Sequence, residues 1–390
     1  MSRRPDFDRA VLRPYAQWRL RLCRVFAVAL VPLVLMGAAA AETIKIGLTV
    51  PLTGLQAGAG KESEAVWRAF ARHVNGTPLM RGHTLEVLAL DDAFDPARSR
   101  ENAEQLARQG AAVMTATLGI PTVQAMIPVL ERHRIALIGP GSGSLMLRGQ
   151  SAAIFHVKAS FGAEVDRMAR LLGTMGLKKV VVIVDDAADR KALLERFSAE
   201  LVRVSASSGH VVGSAVLPQK GGKAEEVAAT AMADQPEVIY VITIPGLAGA
   251  VLTQLRTLGY RGFVSAWSPA STESVVRQIS AAGAGIIFGT VVPSPTSDRP
   301  GIMASFQAFA AAQGVPTSFR AMEIYITGRI LVEAVLRAEG GAFTGAKVWK
   351  ALEGLGDVNV DGWRVRYSAT DREGSNFVDT MMLLKDGKFR

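Results

Sequence analysis

Two pairs of adjacent carboxylates, Asp91-Asp92 and Asp185-Asp186, end apolar runs of the chain, where paired acids can move protons or ligate a metal. The same position suits another task, accepting hydrogen bonds from loop N–H groups and from the helix start that follows. Proton transfer or metal binding needs partners, and the five histidines (His73, His83, His133, His156 and His210) are scattered with no ligand spacing. Holding loops is therefore the stronger reading. Gly58-Ala59-Gly60-Lys61 has the tail of a phosphate loop, but Leu55 stands where its first glycine belongs and Glu62 follows the lysine. Asp357-x-Asn359-x-Asp361-Gly362 matches half a calcium loop, yet Ser368 occupies the position of the bidentate glutamate. A solvated turn before a strand accounts for it better. Gly141-Ser142-Gly143 is too compact for a nucleophile elbow. No catalytic set, no metal site and no cofactor is expected.

What remains is a pair of small-residue loops, Leu118-Gly119-Ile120-Pro121-Thr122 and Gly139-Pro140-Gly141-Ser142-Gly143. They offer backbone N–H groups, a helix opening at Thr122 and the Ser142 hydroxyl, which suits holding a small anionic group. Ordinary turn glycines would look the same, and these residues alone leave both readings open.

The elements that would position these loops alternate. Strands are expected at Thr43–Val50, Thr84–Leu90, Ala112–Thr117, Ile135–Ile138 and Ile154–Val157, with helices between them at Lys61–Val74, Pro96–Gln109 and Thr122–Arg132. A second series runs from the helix Phe161–Thr174 through strands at Lys179–Val184, His210–Leu217, Val238–Thr243, Gly262–Ser265 and Gly285–Val292. The strands are apolar on both faces, as parallel sheets covered by helices require. After Pro293 the rhythm breaks into helices at Met303–Ala312, Phe319–Ala338 and Ala346–Leu352, then a strand pair at Arg364–Tyr367 and Phe377–Leu384. The expected fold is α/β with two Rossmann-like lobes.

Composition narrows the partners. The 390 residues carry 44 basic and 35 acidic side chains, a net +9. Seven arginines and two aspartates fall within residues 1–41, so five of the nine net charges sit there. That segment, with its basic start, the apolar run Val25–Met36 and the Ala39-x-Ala41 site, reads as a secretory signal peptide cleaved after Ala41. Its removal takes the only cysteine, Cys23, and leaves an exported, soluble chain without thiols. The remainder is nearly balanced in charge and poor in aromatics, which argues against nucleic acid.

The chain resembles the type I periplasmic solute-binding proteins, specifically the branched-chain amino-acid (Leu/Ile/Val-binding) group serving ABC importers. The resemblance is carried by IKIGLTVPLTG, LALDDAFDPARSRENAEQLARQG, ALIGPGSGSLMLRG, KKVVVIVDDAADRKALLERF, QPEVIYVITIPGLAGAVLTQLRTLGYRG and FVDTMMLLKDGKFR, in that order along the chain. It implies two lobes joined by three crossovers, closing on a ligand by hinge motion. Residues 42–157 plus 291–355 would form the N-terminal lobe, and 158–290 plus 356–390 the C-terminal lobe. It further implies a periplasmic monomer that delivers a small molecule to an ABC permease in the inner membrane, without catalysis. A ligand-sensing domain that signals to a partner protein is the alternative.

Carried over residue by residue, the resemblance puts the ligand carboxylate at Gly119, Ile120, Thr122, Gly141, Ser142 and Gly143. The positions matching the acids that grip an amino acid's ammonium are Phe161 and Ser268, and neither carries charge. Expected aromatics are missing at Ala188 and near Ile244. An unpaired buried ammonium costs several kcal/mol, so the expected ligand is a carboxylate with an apolar or aromatic body, walled by Phe161, Ile244 and Trp267.

Overall fold

The computed structural model describes residues 41–205, 211–297, 299–338 and 342–390. The expected signal peptide, apart from Ala41, lies outside them, as do Cys23 and His210. The first series comprises β1 (Thr43–Val50), α1 (Ala57–Asn75), β2 (Thr84–Asp91), α2 (Pro96–Arg108), β3 (Val113–Thr115), α3 (Ile120–His133), β4 (Ala136–Ile138) and β5 (Ile154–Phe155). The second comprises α4 (Phe161–Thr174), β6 (Lys179–Asp185), α5 (Arg190–Val204), β7 (Val211–Leu217), α6 (Ala224–Met232), β8 (Val238–Ile242), α7 (Pro245–Thr257), β9 (Phe263–Ala266), α8 (Glu273–Ile279) and β10 (Ile287–Thr290). After them come α9 (Ile302–Gln313), α10 (Phe319–Arg337), α11 (Gly345–Glu353), β11 (Gly356–Val360), β12 (Trp363–Tyr367) and β13 (Asp379–Met382).

These strands make two sheets, ordered β2-β1-β3-β4-β5 and β13-β10-β9-β8-β6-β7. All neighbours are parallel except β13, which runs antiparallel to β10. Parallel strands need helical crossovers, and those helices bury both faces of each sheet. Every described side chain of β8 is accordingly buried, as are the last five residues of β1. The helices show the complementary stripe. In α1 the buried Val66, Trp67, Phe70 and Val74 recur at helical spacing, and the edge-on Phe70 ring sits 5.9 Å from Tyr325 of α10. Local signals set the ends: the Asp95 carboxylate caps α2 ahead of Pro96, and the Ser160 hydroxyl accepts from Ala163 N–H at the start of α4.

The chain crosses between the sheets three times, after β5, after β10 and between β12 and β13. Its C-terminal part departs from the sequence reading. The strands at 363–367 and 379–382 do not pair with each other: β12 pairs with β11 as a hairpin, and β13 joins the second sheet. The cause is Asp361-Gly362, whose φ values of 49° and 93° form the two-residue turn that matches strand twist, so a strand precedes it as well as follows it. The hairpin also sits with the first sheet. The Tyr367 hydroxyl donates to His156 O at 2.5 Å, and its ring lies 5.4 Å from Phe155. Assigning all of 356–390 to the second lobe is therefore corrected, with the last crossing falling between 367 and 379. Two further edges move. Ala116, at φ 65°, ends β3 early, and α3 starts at Ile120 on a Gly119 cap instead of at Thr122.

Candidate ligand-binding cleft

In both sheets the strand order reverses beside a central strand, between β1 and β3 and between β6 and β8. Ligands of open α/β sheets bind at such switch points, beyond the carboxyl ends of the strands. The loops from both switch points line a single cavity of about 510 Å³, together with the two crossings at Lys158 and Val291-Val292 and the first turn of α10.

On the first-sheet wall, Asp91 and Asp92 act as loop holders. Asp91 accepts from Leu52 N–H at 2.7 Å, Ala93 N–H at 2.9 Å and the Thr53 hydroxyl at 2.6 Å. Asp92, fully buried, accepts from Phe94 N–H at 2.8 Å and from the hydroxyls of Thr49 and Ser99. Burial pushes the Asp92 carboxyl up, against those bonds. Together they hold Ala93 and Phe94 in left-handed conformations (φ 49° and 62°) and aim the Phe94 ring at the cavity. A Cβ on Gly119 would lie 2.7 Å from that ring, so only glycine fits beneath it. Gly119 opens α3 without any side-chain cap, leaving the helix's first N–H groups beside the cavity.

Among the expected site residues, Gly119, Ile120, Gly141 and Ser142 line the first wall, and Phe161, Ile244, Trp267 and Ser268 the second. Thr122 and Gly143 do not line it. The Thr122 hydroxyl turns back to the Leu118 carbonyl, the local bond that serine and threonine form within helices. Gly143 serves packing: its carbonyl accepts from Phe161 N–H at 2.8 Å, and a Cβ there would strike the Phe161 ring.

The second wall is built from ionised side chains locked by one another. Asp185 accepts from Ile244 N–H at 2.6 Å and from Ala187 N–H at 3.0 Å, so this acid pair also holds loops. It further clamps Arg190, whose guanidinium contacts Asp185 at 2.9 Å and Asp189 at 2.5 Å and lies 4.4 Å over the Trp267 ring. Trp267 Nε1 donates to Thr243 O at 2.7 Å, and the Phe161 ring centroid lies 4.4 Å from that of Trp267, tilted by 45°. Glu164 of α4, 1% exposed, accepts both the N–H and the hydroxyl of Ser268, the latter at 2.8 Å. Burial lifts its carboxyl to about 7 despite those bonds.

Sequence reasoning missed the charges at the base of the cleft. Lys158, 5% exposed, donates to Gly141 O at 2.8 Å and to Glu323 at 3.0 Å, while Arg320 takes the other Glu323 oxygen at 2.9 Å. Burial pulls the Lys158 ammonium down, with Glu323 opposing. The signal was present: a lone lysine directly after the expected strand Ile154–Val157, and an Arg-x-x-Glu pair in the otherwise apolar start of α10. Gln56 was also missed. Its side chain accepts from Gly246 N–H across the mouth at 3.2 Å, and Leu55 packs where a Gly246 side chain would stand, so the two lobes touch around the cavity. No helix among the described residues is long and apolar enough to cross a membrane.

Comparison with known proteins agrees with this architecture. The family model described as "Periplasmic binding protein" matches residues 43–388. A curated relative, Leu/Ile/Val-binding protein homolog 3 of Brucella melitensis, is 24% identical over 339 residues, covering 85% of this chain and 89% of its own. Among solved structures, a possible leucine/isoleucine/valine-binding protein from Rhodopirellula baltica superposes with a TM-score of 0.81 at 21% identity, covering 91% of this chain and 97% of the other. A solute-binding protein of an ABC transporter from Rhodopseudomonas palustris, solved in complex with 3,4-dihydroxybenzoic acid, gives 0.77 at 20% identity, covering 89% and 95%. The chain belongs to the periplasmic binding protein family.

Proposed function

We propose that this protein is the exported, monomeric solute-binding component of an ABC importer, and that its cleft carries a small carboxylate with an apolar or aromatic body to a membrane permease. The observation that carries the reading is the charge lining the cavity. Lys158, Arg190, Lys220 and Arg320 line it, against Asp186 and Glu323. Asp186 is exposed at the mouth, Glu323 is spent on Lys158 and Arg320, and Glu164 is shielded behind Ser268. Among the described residues lining the cleft, no carboxylate is left to partner a buried ammonium, whose desolvation would cost several kcal/mol. An acid instead meets the Ser142 hydroxyl, the open end of α3 and the Lys158 ammonium, with Phe94, Phe161 and Trp267 as walls. The aromatic acid held by the Rhodopseudomonas neighbour is a ligand of this class.

The names of the Brucella and Rhodopirellula relatives favour a second reading, a branched-chain amino acid. A thermal-shift panel of aromatic acids, short-chain acids and leucine separates the two. A ligand at 100 times its Kd stabilises by about 2.7 kcal/mol, which shifts a melting curve by several degrees. An aromatic acid giving that shift supports the proposal; a shift with leucine alone sinks it.

A further inference from the structure

Glu164 is the one acid of the second wall with neither a cation in hydrogen-bond contact nor access to water among the residues described around the cleft. Both its oxygens rest on Ser268, a residue that lines the cavity, and Gly289 of β10 makes room for it, since a Cβ there would come within 2.5 Å of the carboxylate. The charged groups around it come from several elements. Lys158 of the first crossing favours its ionised form, and Glu323 of α10 opposes it. Tyr240 of β8 carries a buried hydroxyl without a partner, and its ionisation is opposed by Glu164. The other charges of α4 are engaged elsewhere: Asp166 with Arg196, Arg167 with Asp379 and Arg170 with Glu200.

We propose that Glu164 is a positioning residue that couples occupancy of the cleft by an acid to uptake of a proton from solvent onto its own carboxyl. A ligand carboxylate at Lys158 brings a second negative charge near Glu164 and competes for the same ammonium. Two like charges in a dry site do not both stay ionised, and the group already close to neutrality takes the proton. Protonated Glu164 still holds Ser268, so the wall keeps its shape while losing a repulsive charge. This rests on the acid-cargo reading, and the test is built to separate the two.

Isothermal titration of 3,4-dihydroxybenzoate and of leucine at pH 7.5, each in phosphate and in Tris, reads the protons exchanged on binding. With the acid, the protein takes up a fraction of a proton and the Glu164→Gln variant takes up measurably less. Affinity for the acid falls roughly tenfold from pH 6 to 8.5 in the protein and stays flat in the variant. Acid binding with the same proton exchange and pH profile in both overturns the proposal. If leucine binds instead, the cargo reading fails, and the proposal as stated for acids is overturned with it; proton release on leucine binding would then mark Glu164 as the ammonium's partner. If neither binds, the fluorescence of Trp267, taken as the difference from a Trp267→Phe variant, decides. A transition near pH 7 that Glu164→Gln removes upholds the proton site, and a pH-independent signal overturns it. Should the glutamine variant fail to fold, Ser268→Ala replaces it and moves the midpoint upward, because the carboxylate loses a donor.

Discussion

On the first-sheet wall, polarity comes from the main chain. Glycines at 119 and 141, the uncapped start of α3 and one hydroxyl face the cavity, and two aspartates behind them fix the turn that presents Phe94. On the second-sheet wall, polarity comes from side chains that other side chains hold: Arg190 between Asp185, Asp189 and Trp267, and Ser268 on Glu164. The contrast has consequences for stability, pH response and selectivity. A wall of backbone dipoles keeps its polarity at any pH, whereas a wall of buried ionised groups is costly to disturb and changes with protonation.

The largest expected effect breaks the second wall. Asp185→Ala strips Arg190 of a partner and leaves Ile244 N–H without an acceptor, so urea unfolding should show a loss of about 3–5 kcal/mol. The next effect separates the walls by pH. Glu164 holds its proton up to about 7 in the folded protein, against an ordinary 4.5. Its contribution is therefore fully present below about 4.5 and lost as pH rises through 7, on the order of 3 kcal/mol. The difference between the stability curves of the protein and Glu164→Gln should carry that slope. No such slope arises from the backbone donors of the first wall.

How much of this was legible in the chain follows the same division. The first wall rests on residues whose types announce their job: glycine where φ is positive, proline after a helix start, aspartate at a strand end. Gly119, Ile120, Gly141 and Ser142 line the cavity, while the Thr122 side chain and the Gly143 backbone turn to local packing. The second wall rests on partners far apart along the chain, Glu164 with Ser268 and Lys158 with Glu323, and no local pattern links such pairs. The hairpin at 356–367 is hidden locally, because its Asp361-Gly362 turn sits inside the Asp357-x-Asn359-x-Asp361 spacing of an ion loop.

Smaller effects sharpen the comparison at the ligand. Lys158→Met should weaken binding of an aromatic acid by about 2–3 kcal/mol, roughly 30- to 150-fold, read by titration calorimetry. Ser142→Ala should cost about 1 kcal/mol of affinity and lower stability by about 1 kcal/mol, because Ser144 N–H loses its acceptor at 3.3 Å. Thr122→Val, whose hydroxyl faces away from the cavity, should leave affinity as it is.

The central claim is that the second wall offers no partner to an ammonium and therefore selects acids. Its most direct test is competition in one calorimeter cell: 3,4-dihydroxybenzoate titrated into the protein alone and into protein saturated with leucine. The account predicts the same binding isotherm in both, because leucine does not occupy the cleft. An isotherm shifted or abolished by leucine, or heat from leucine alone at low concentration, would contradict it.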